Sequence, residues 1–364
     1  MKRPYLCAAL AVSALATLPA AVQAGTIKNG SPVDVTVGGQ VDRAFLVVDD
    51  GTDTFYRNVD NESNSTRVFF NAEGTINSEW TAGSHFIWLM RSNPSNDVSA
   101  SVESTAVTAE EDTMEVYFSS KRFGTLTLGQ GYTASDATAE VDLSGTMLAG
   151  YSSISDIGGG FAFTRNGTRS SVTIGDVADN LDGLDKYDRV RYDTPEIAGF
   201  VFSTSGGPQG QVDAALTYGT KIGATEVQAA FGWYNNSGAD DEFTDGYTGS
   251  VSALLANGLN LTFAAGTKGA AAAGRDDPMF YYTKLGYTAS LNSLGATHFA
   301  VDYGRYLDMS QNGDRFTTVG VQVVQDIESI GSNVFVGFRN YALSQTGVSY
   351  DDIRALFTGA YVAF

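Results

Sequence analysis

Thr113-Met-Glu-Val-Tyr-Phe-Ser-Ser-Lys-Arg-Phe-Gly-Thr-Leu-Thr-Leu-Gly-Gln-Gly131 holds two extended segments and the turn that joins them. Met114, Val116 and Phe118 fall on one face of the first segment, with Glu115 and Tyr117 on the other. That period of two sends successive side chains to opposite sides of a strand. Ser119–Gly124 then reverses the chain within a few residues. Outward from this stretch the pattern recurs. In Thr81–Arg91, Phe86, Trp88 and Met90 oppose His85 and Arg91; in Asp188–Asp193, Val190 and Tyr192 oppose Arg189, Arg191 and Asp193. Thr297–Tyr303 and Thr317–Val323 alternate in the same way. Such segments, separated by turn residues, form a wall with lipid on one side and water on the other.

The connections sort into two kinds. Seven are short and rich in Gly, Asn, Ser or Pro: Glu73–Ser78, Ser119–Gly124, Asp193–Gly199, Tyr218–Gly223, Ala256–Leu259, Leu291–Gly295 and Asp326–Ser332. Between them lie eight loops, around Asp49–Ser65, Ser92–Glu111, Tyr132–Lys186, Gly206–Gln209, Asn235–Asp245, Lys268–Pro278, Tyr306–Asn312 and Ala342–Ser349. Fifteen alternating connections join sixteen antiparallel strands with both ends on the turn side. An even-stranded barrel with short periplasmic turns and long outer loops is the expected fold, closed because lipid offers no partner to a bare sheet edge. Whether Phe161–Gly175 adds a further hairpin, making eighteen, is open from the sequence.

Composition agrees. There are 41 Gly, 18 Tyr and 21 Phe, with 17 % charged residues and 7 Pro, a profile a soluble β-sandwich would share. Lys2-Arg3, an apolar stretch from Leu6 to Leu18, and Ala-Val-Gln-Ala24 read as a secretory leader cleaved after Ala24, leaving one domain over 25–364. Cys7, the sole cysteine, lies within it, so the mature chain is expected to hold no disulfide. Beyond Ala24 no apolar run approaches the roughly 20 residues of a membrane helix. A net charge of −19 argues against nucleic acid and against docking on anionic lipid. The final segment, Phe357-Thr-Gly-Ala-Tyr-Val-Ala-Phe364, ends on the aromatic residue that barrel-insertion machinery reads, although Tyr361 sits four from the end where the usual signature has its aromatic third.

Val37-Gly-Gly-Gln-Val-Asp-Arg-Ala44, Asn64-Ser-Thr-Arg-Val-Phe-Phe70, Phe123–Gly131, and Asp188-Arg-Val-Arg-Tyr-Asp-Thr-Pro195 with Ala198-Gly-Phe200 resemble, in order and spacing, the general bacterial porins. The resemblance covers essentially the whole mature chain and implies a homotrimeric outer-membrane channel. It further implies that the third outer loop folds into the lumen, with Thr133–Gly160 as constriction carrying Asp136, Glu140, Asp142 and Asp156. Facing it, the family carries wall arginines, for which Arg67, Arg91, Arg189 and Arg191 are the candidates. Met114 stands where many relatives have a basic residue, which weakens the expected positive wall. Arg43 shares parity with lipid-facing Val41 and Phe45, and either a bulge or snorkelling would accommodate it.

The function expected is passive passage of ions and small hydrophilic solutes, mildly favouring cations because acidic loops concentrate them at the mouth. The alternatives are a substrate-specific channel, with Tyr132 and Tyr151 on a solute track, and a non-conducting adhesin or scaffold. No enzyme is expected: His85 and His298 lie on different strands, and no G-x-S-x-G segment occurs. No cofactor is expected either, although Asp176, Asp179 and Asp182 offer oxygen ligands that Ca²⁺ accepts, in an order unlike an EF-hand. Outer-membrane lipid, lipopolysaccharide and the barrel-assembly machinery at Phe364 are the other expected partners.

Overall fold

The computed structural model describes residues 25–27, 32–236 and 243–364, so the leader and its cleavage point lie outside the described residues. Sixteen strands form the wall. In chain order they are β1 Val33–Asp49, β2 in two halves (Thr54–Asp60 and Arg67–Thr75), β3 Trp80–Arg91, β4 Thr108–Ser120, β5 Gly124–Tyr132, β6 Lys186–Asp193, β7 Phe200–Gly206 and β8 Val212–Ile222. There follow β9 Thr225–Asn235, β10 Phe243–Leu254, β11 Leu259–Ala270, β12 Met279–Ala289, β13 Thr297–Leu307, β14 Arg315–Ile327, β15 Ser332–Gln345 and β16 Ile353–Ala363. Each pairs antiparallel with the next, and β16 returns to β1 through Val41↔Val362, Phe45↔Thr358 and Asp49↔Arg354. No open edge is left in the wall, as lipid demands.

Polarity is inverted relative to a soluble protein. On β11, Leu261 and Phe263 are 59 % and 47 % exposed, whereas Asn260 and Thr262, which alternate with them, are 1 % and 2 % exposed. Val319 and Val321 on β14 face out in the same manner, while Gln322 is buried. The tight turns fall where the sequence puts them. At Gly124, φ is +85° and a β-carbon would stand 2.1 Å from the Asp193 carbonyl oxygen, so only glycine fits there.

Three sequence expectations are refined. The first loop is short: the strand resumes at Thr54, and only Asn61–Thr66 leaves the ladder, as an inward bulge between the halves of β2. A polar run such as Asn61-Glu-Ser-Asn-Ser-Thr66 looks like an outer loop because lumen and outside water select the same residues. Arg43 points outward and spans that break, reaching Asn58 (2.8 Å), the Ser92 carbonyl (2.7 Å) and Asp60 (3.5 Å). The hairpin Ala162–Arg165/Thr168–Thr173 forms a separate two-stranded sheet, so the barrel has sixteen strands and not eighteen.

Candidate functional site: the lumen constriction

Between β5 and β6 the chain leaves the wall for more than fifty residues, and contacts with the inner wall dictate the path of its first part. Ser135 donates to Asp213 on β8, with its amide at 2.7 Å and its hydroxyl at 2.6 Å. The amides of Val141 and Leu143 donate to Ser250 and Ser252 on β10, each at 2.9 Å. Farther along, the Lys284 ammonium of β12 reaches Asp142 (2.6 Å), the Thr146 hydroxyl (3.1 Å) and the Gly150 carbonyl (2.7 Å). The Asn61 amide, in the β2 bulge, donates to the Leu148 carbonyl at 2.9 Å. An inward aromatic row near the outer-loop ends of β12–β15 braces the loop: Phe280 stacks on Tyr306, and Phe316 packs against both Tyr306 and Tyr341. Tyr306 and Tyr341 donate their hydroxyls to the carbonyls of Ser152 and Ile157. The third loop thus folds into the lumen, pinned by hydrogen bonds that satisfy its buried backbone.

The four loop acids separate into two kinds. Asp142 is buried against Lys284, part of the anchor and not of a free charged face. Asp136, Glu140 and Asp156 make no ion pair among the described residues. Glu140 accepts from the Asn180 amide at 3.0 Å, and Asp156 accepts from the Ser153 hydroxyl at 3.0 Å. Burial pushes the Asp136 carboxyl up to about 7, against the pull of Lys186. It lifts Glu140 to about 8, assisted by the charges of Asp136 and Asp156. Asp156 rises to about 7 by burial and by the nearby Glu62. Asp182 joins this group: its carboxylate accepts from the amides of Ala137 (2.5 Å) and Ala139 (2.6 Å), and burial holds its pKa well above the usual range.

All four candidate arginines face inward, as the cost of about 2–4 kcal/mol for a charge on the lipid face at the midplane requires. Yet three are neutralised on the wall itself. Arg91 pairs with Glu62 (2.5 Å) and Glu110, Arg189 with Glu115 (2.6 Å), and Arg191 with Asp193 (2.8 Å). Among the described residues Arg67 bonds only to Asn64 (2.8 Å) and the Ser65 carbonyl (3.1 Å), within the β2 bulge. The expected free arginine ladder is therefore largely spent on carboxylates of the same strands and their neighbours. Two further inward cations, Lys284 and Arg339, carry more of the architecture. Arg339 grips both oxygens of Asp302 at 2.7 Å, and Tyr282 also donates to that carboxylate. Each is a lone cation in mid-strand, and the lipid-cost argument used for the four arginines places them inside equally well.

The remaining candidates disperse. Asp176 accepts from Thr173, Asp179 lies 3.6 Å from Lys268, and Asp182 holds the turn at Ala137. Among the described residues no group of three or more His, Cys, Asp or Glu is arranged to hold a metal. His85 faces the lumen beside Glu115 at 2.7 Å. His298 lies between Thr288 (2.9 Å) and Asp326 (3.1 Å), beneath Gly145 of the loop.

A family model described as Gram-negative porin matches residues 8–345. The chain belongs to the Gram-negative porin family. Among solved structures, this porin resembles the anion-selective porin from Comamonas acidovorans (TM-score 0.63, 12 % identity, 91 % of this chain and 100 % of that one). It is also similar to in-vitro folded OmpT, an outer membrane protein of Vibrio cholerae (TM-score 0.62, 13 % identity, 94 % and 100 %). Salmonella typhi OmpF in complex with daunomycin is a third (TM-score 0.55, 11 % identity, 93 % and 100 %). At such identities the likeness shows the fold. A search of curated proteins gave no match. The porin is an outer-membrane channel, and the sixteen-stranded wall with its inward third loop is the channel's body.

Proposed function

We propose that the porin passes ions and small hydrophilic solutes passively, with a mild preference for cations. One observation carries the preference. The loop carboxylates Asp136, Glu140 and Asp156 have no cationic partner within salt-bridge distance, while Arg91, Arg189, Arg191, Lys284 and Arg339 are each matched by a wall or loop carboxylate. The three unpaired carboxyls outnumber the one unpaired candidate arginine, Arg67, so the neck becomes negative as they ionise, and rings of carboxylates favour cations. No cofactor takes part, and no catalysis is proposed, since Gly145 of the loop packs against the imidazole of the Thr288–His298–Asp326 line. Tyr151 is buried, which weighs against a solute track that includes it. The proposed assembly is a homotrimer in outer-membrane lipid and lipopolysaccharide. Its delivery is by a leader cleaved after Ala24 and by insertion machinery that reads Phe364. Vibrio cholerae OmpT, a structural relative, is described in a trimer form.

The test is single-channel recording of the folded porin in a planar bilayer under a KCl gradient. Long-lived conducting steps with a cation-signed reversal potential are expected. Silence from folded protein would replace this reading with the scaffold or adhesin, and an anion-signed potential would overturn the preference alone.

A further inference from the structure

The third loop does not cover the whole lumen wall. It is hydrogen-bonded to β8, β10 and β12–β15 and to the β2 bulge, and Lys284 beneath it is completely buried. Toward the periplasmic ends of β2, β3 and β4 the wall is bare. Among the described residues no hydrogen bond, ion pair or ring contact joins the loop to Asn71, Glu73, His85 or Tyr117. All four face inward by strand parity; Glu73 is exposed, and the His85 side chain is 37 % exposed.

Two cross-strand rows meet on this bare strip. The register places Glu73 opposite Gly83 and Gly83 opposite Tyr117. Two residues farther from the turns, it places Asn71 opposite His85 and His85 opposite Glu115. In that second row Glu115 is taken by His85 (2.7 Å) and Arg189 (2.6 Å). The first row has no such balance. The Tyr117 hydroxyl donates to Glu73 at 2.7 Å, and Glu73 makes no ion pair among the described residues. The glycine between them lets the phenol cross, since a β-carbon at Gly83 would stand 2.5 Å from the Tyr117 oxygen. From the other side the His85 ring lies against the phenol, with 5.0 Å between centroids and 32° between planes.

An exposed carboxylate with one hydroxyl donor has acceptor capacity left, and the ring beside it offers a negative face. A bare metal ion would want more oxygen ligands than the strip supplies, and among the described residues no group of three or more His, Cys, Asp or Glu is arranged to hold one. A flat amidinium or guanidinium uses both parts at once: its N–H groups donate to the carboxylate while its plane lies over the phenol. We propose that Glu73 and Tyr117 form a subsite for solutes carrying such an organic cation, on the stretch of wall that the loop leaves open. Gly83 and His85 position the phenol. The inference rests on the reading of the lumen as a solute path, and its test reads binding without current, so the two can fail separately.

The experiment titrates the folded porin in detergent with benzamidinium, and in parallel with neutral benzamide, by saturation-transfer NMR. Benzamidinium is expected to bind saturably, and benzamide at least about tenfold more weakly, the equivalent of one hydrogen bond to a charged group. Glu73→Gln and Tyr117→Leu should each weaken benzamidinium by a similar factor, compared in variants that keep the compact, heat-modifiable band of a closed barrel. Glu196→Gln, which removes an exposed acid from the turn between β6 and β7, should leave it unchanged. No saturable binding, equal binding of benzamide, or wild-type affinity in either the Glu73 or the Tyr117 variant would overturn the proposal. Equal weakening by Glu196→Gln would also overturn it, by reducing the effect to the diffuse negative charge of the chain. A barrel that is silent in the bilayer yet binds benzamidinium in the expected manner would keep the subsite and sink the channel.

Discussion

At the scale of single residues, Lys284 decides how firmly the constriction is held. Its ammonium and the Asp142 carboxylate are both withdrawn from water, and each is tolerated only because of the other. Lys284→Met is expected to cost about 3–5 kcal/mol, the range for stranding one partner of a buried pair, and denaturant unfolding of the folded barrel measures it. Lys284→Met with Asp142→Leu should recover most of that loss; no recovery would mean the pair does not act as a unit. The loop acids give a second prediction. Their folded pKa values lie above those of ordinary carboxyls, which ionise near 4. Their favourable contribution to loop packing is thus complete below about pH 4 and is lost as pH rises through about 7–8. Over the same rise the neck gains negative charge. Cation preference should therefore increase between about pH 6 and pH 9, and Asp136→Asn with Glu140→Gln should flatten the trend; a wild-type reversal potential constant with pH would contradict it. Which side of the wall a charge occupies was legible from strand parity, as Arg189 and Arg191 show. Which carboxylate would meet it was not, because Glu115 and Arg189 are brought together by β4 and β6 through their common neighbour β5.

At the scale of elements, period two and turn chemistry were enough to place the strands. The third loop was legible only in outline. Its length and acidity marked it, but its course depends on contacts such as Tyr341 with Ile157 that no local pattern encodes. The hairpin Ala162–Arg165/Thr168–Thr173 shows the limit well. Asn166-Gly167 is a strong hairpin turn wherever its strands end up, so the sequence could not say whether they join the wall. In the structure the hairpin is tied to the rim by Arg169 with Asp50 (2.7 Å) and Asp53 (2.6 Å), and by Phe163 against Phe316 and Tyr350. Replacing 162–173 by a short glycine linker should therefore leave a closed barrel that still migrates as a compact, heat-modifiable band. Loss of the compact band would show that the hairpin is needed to build the wall.

For the whole molecule, closure depends on β1 meeting β16. Phe364 and Gly39 exchange both backbone hydrogen bonds, at 2.9 and 3.0 Å, and the Phe364 ring covers the glycine. Removal of Phe364 is expected to lower the amount of porin in the outer membrane, measured by fractionation, far more than it lowers the stability of barrel refolded in vitro. Equal effects on both would assign the residue to the seam alone. The seam has one more consequence, for the timing of synthesis. The two strands that meet there are separated by almost the full length of the polypeptide, so the ring cannot be sealed while the chain is still emerging. Up to that moment the growing sheet keeps two adhesive borders, and a chain that stops short of Ile353 keeps them for good. A copy cut short before β16 is expected to lack the closed wall and to be found at a lower level in the outer membrane than the full chain, as fractionation would measure.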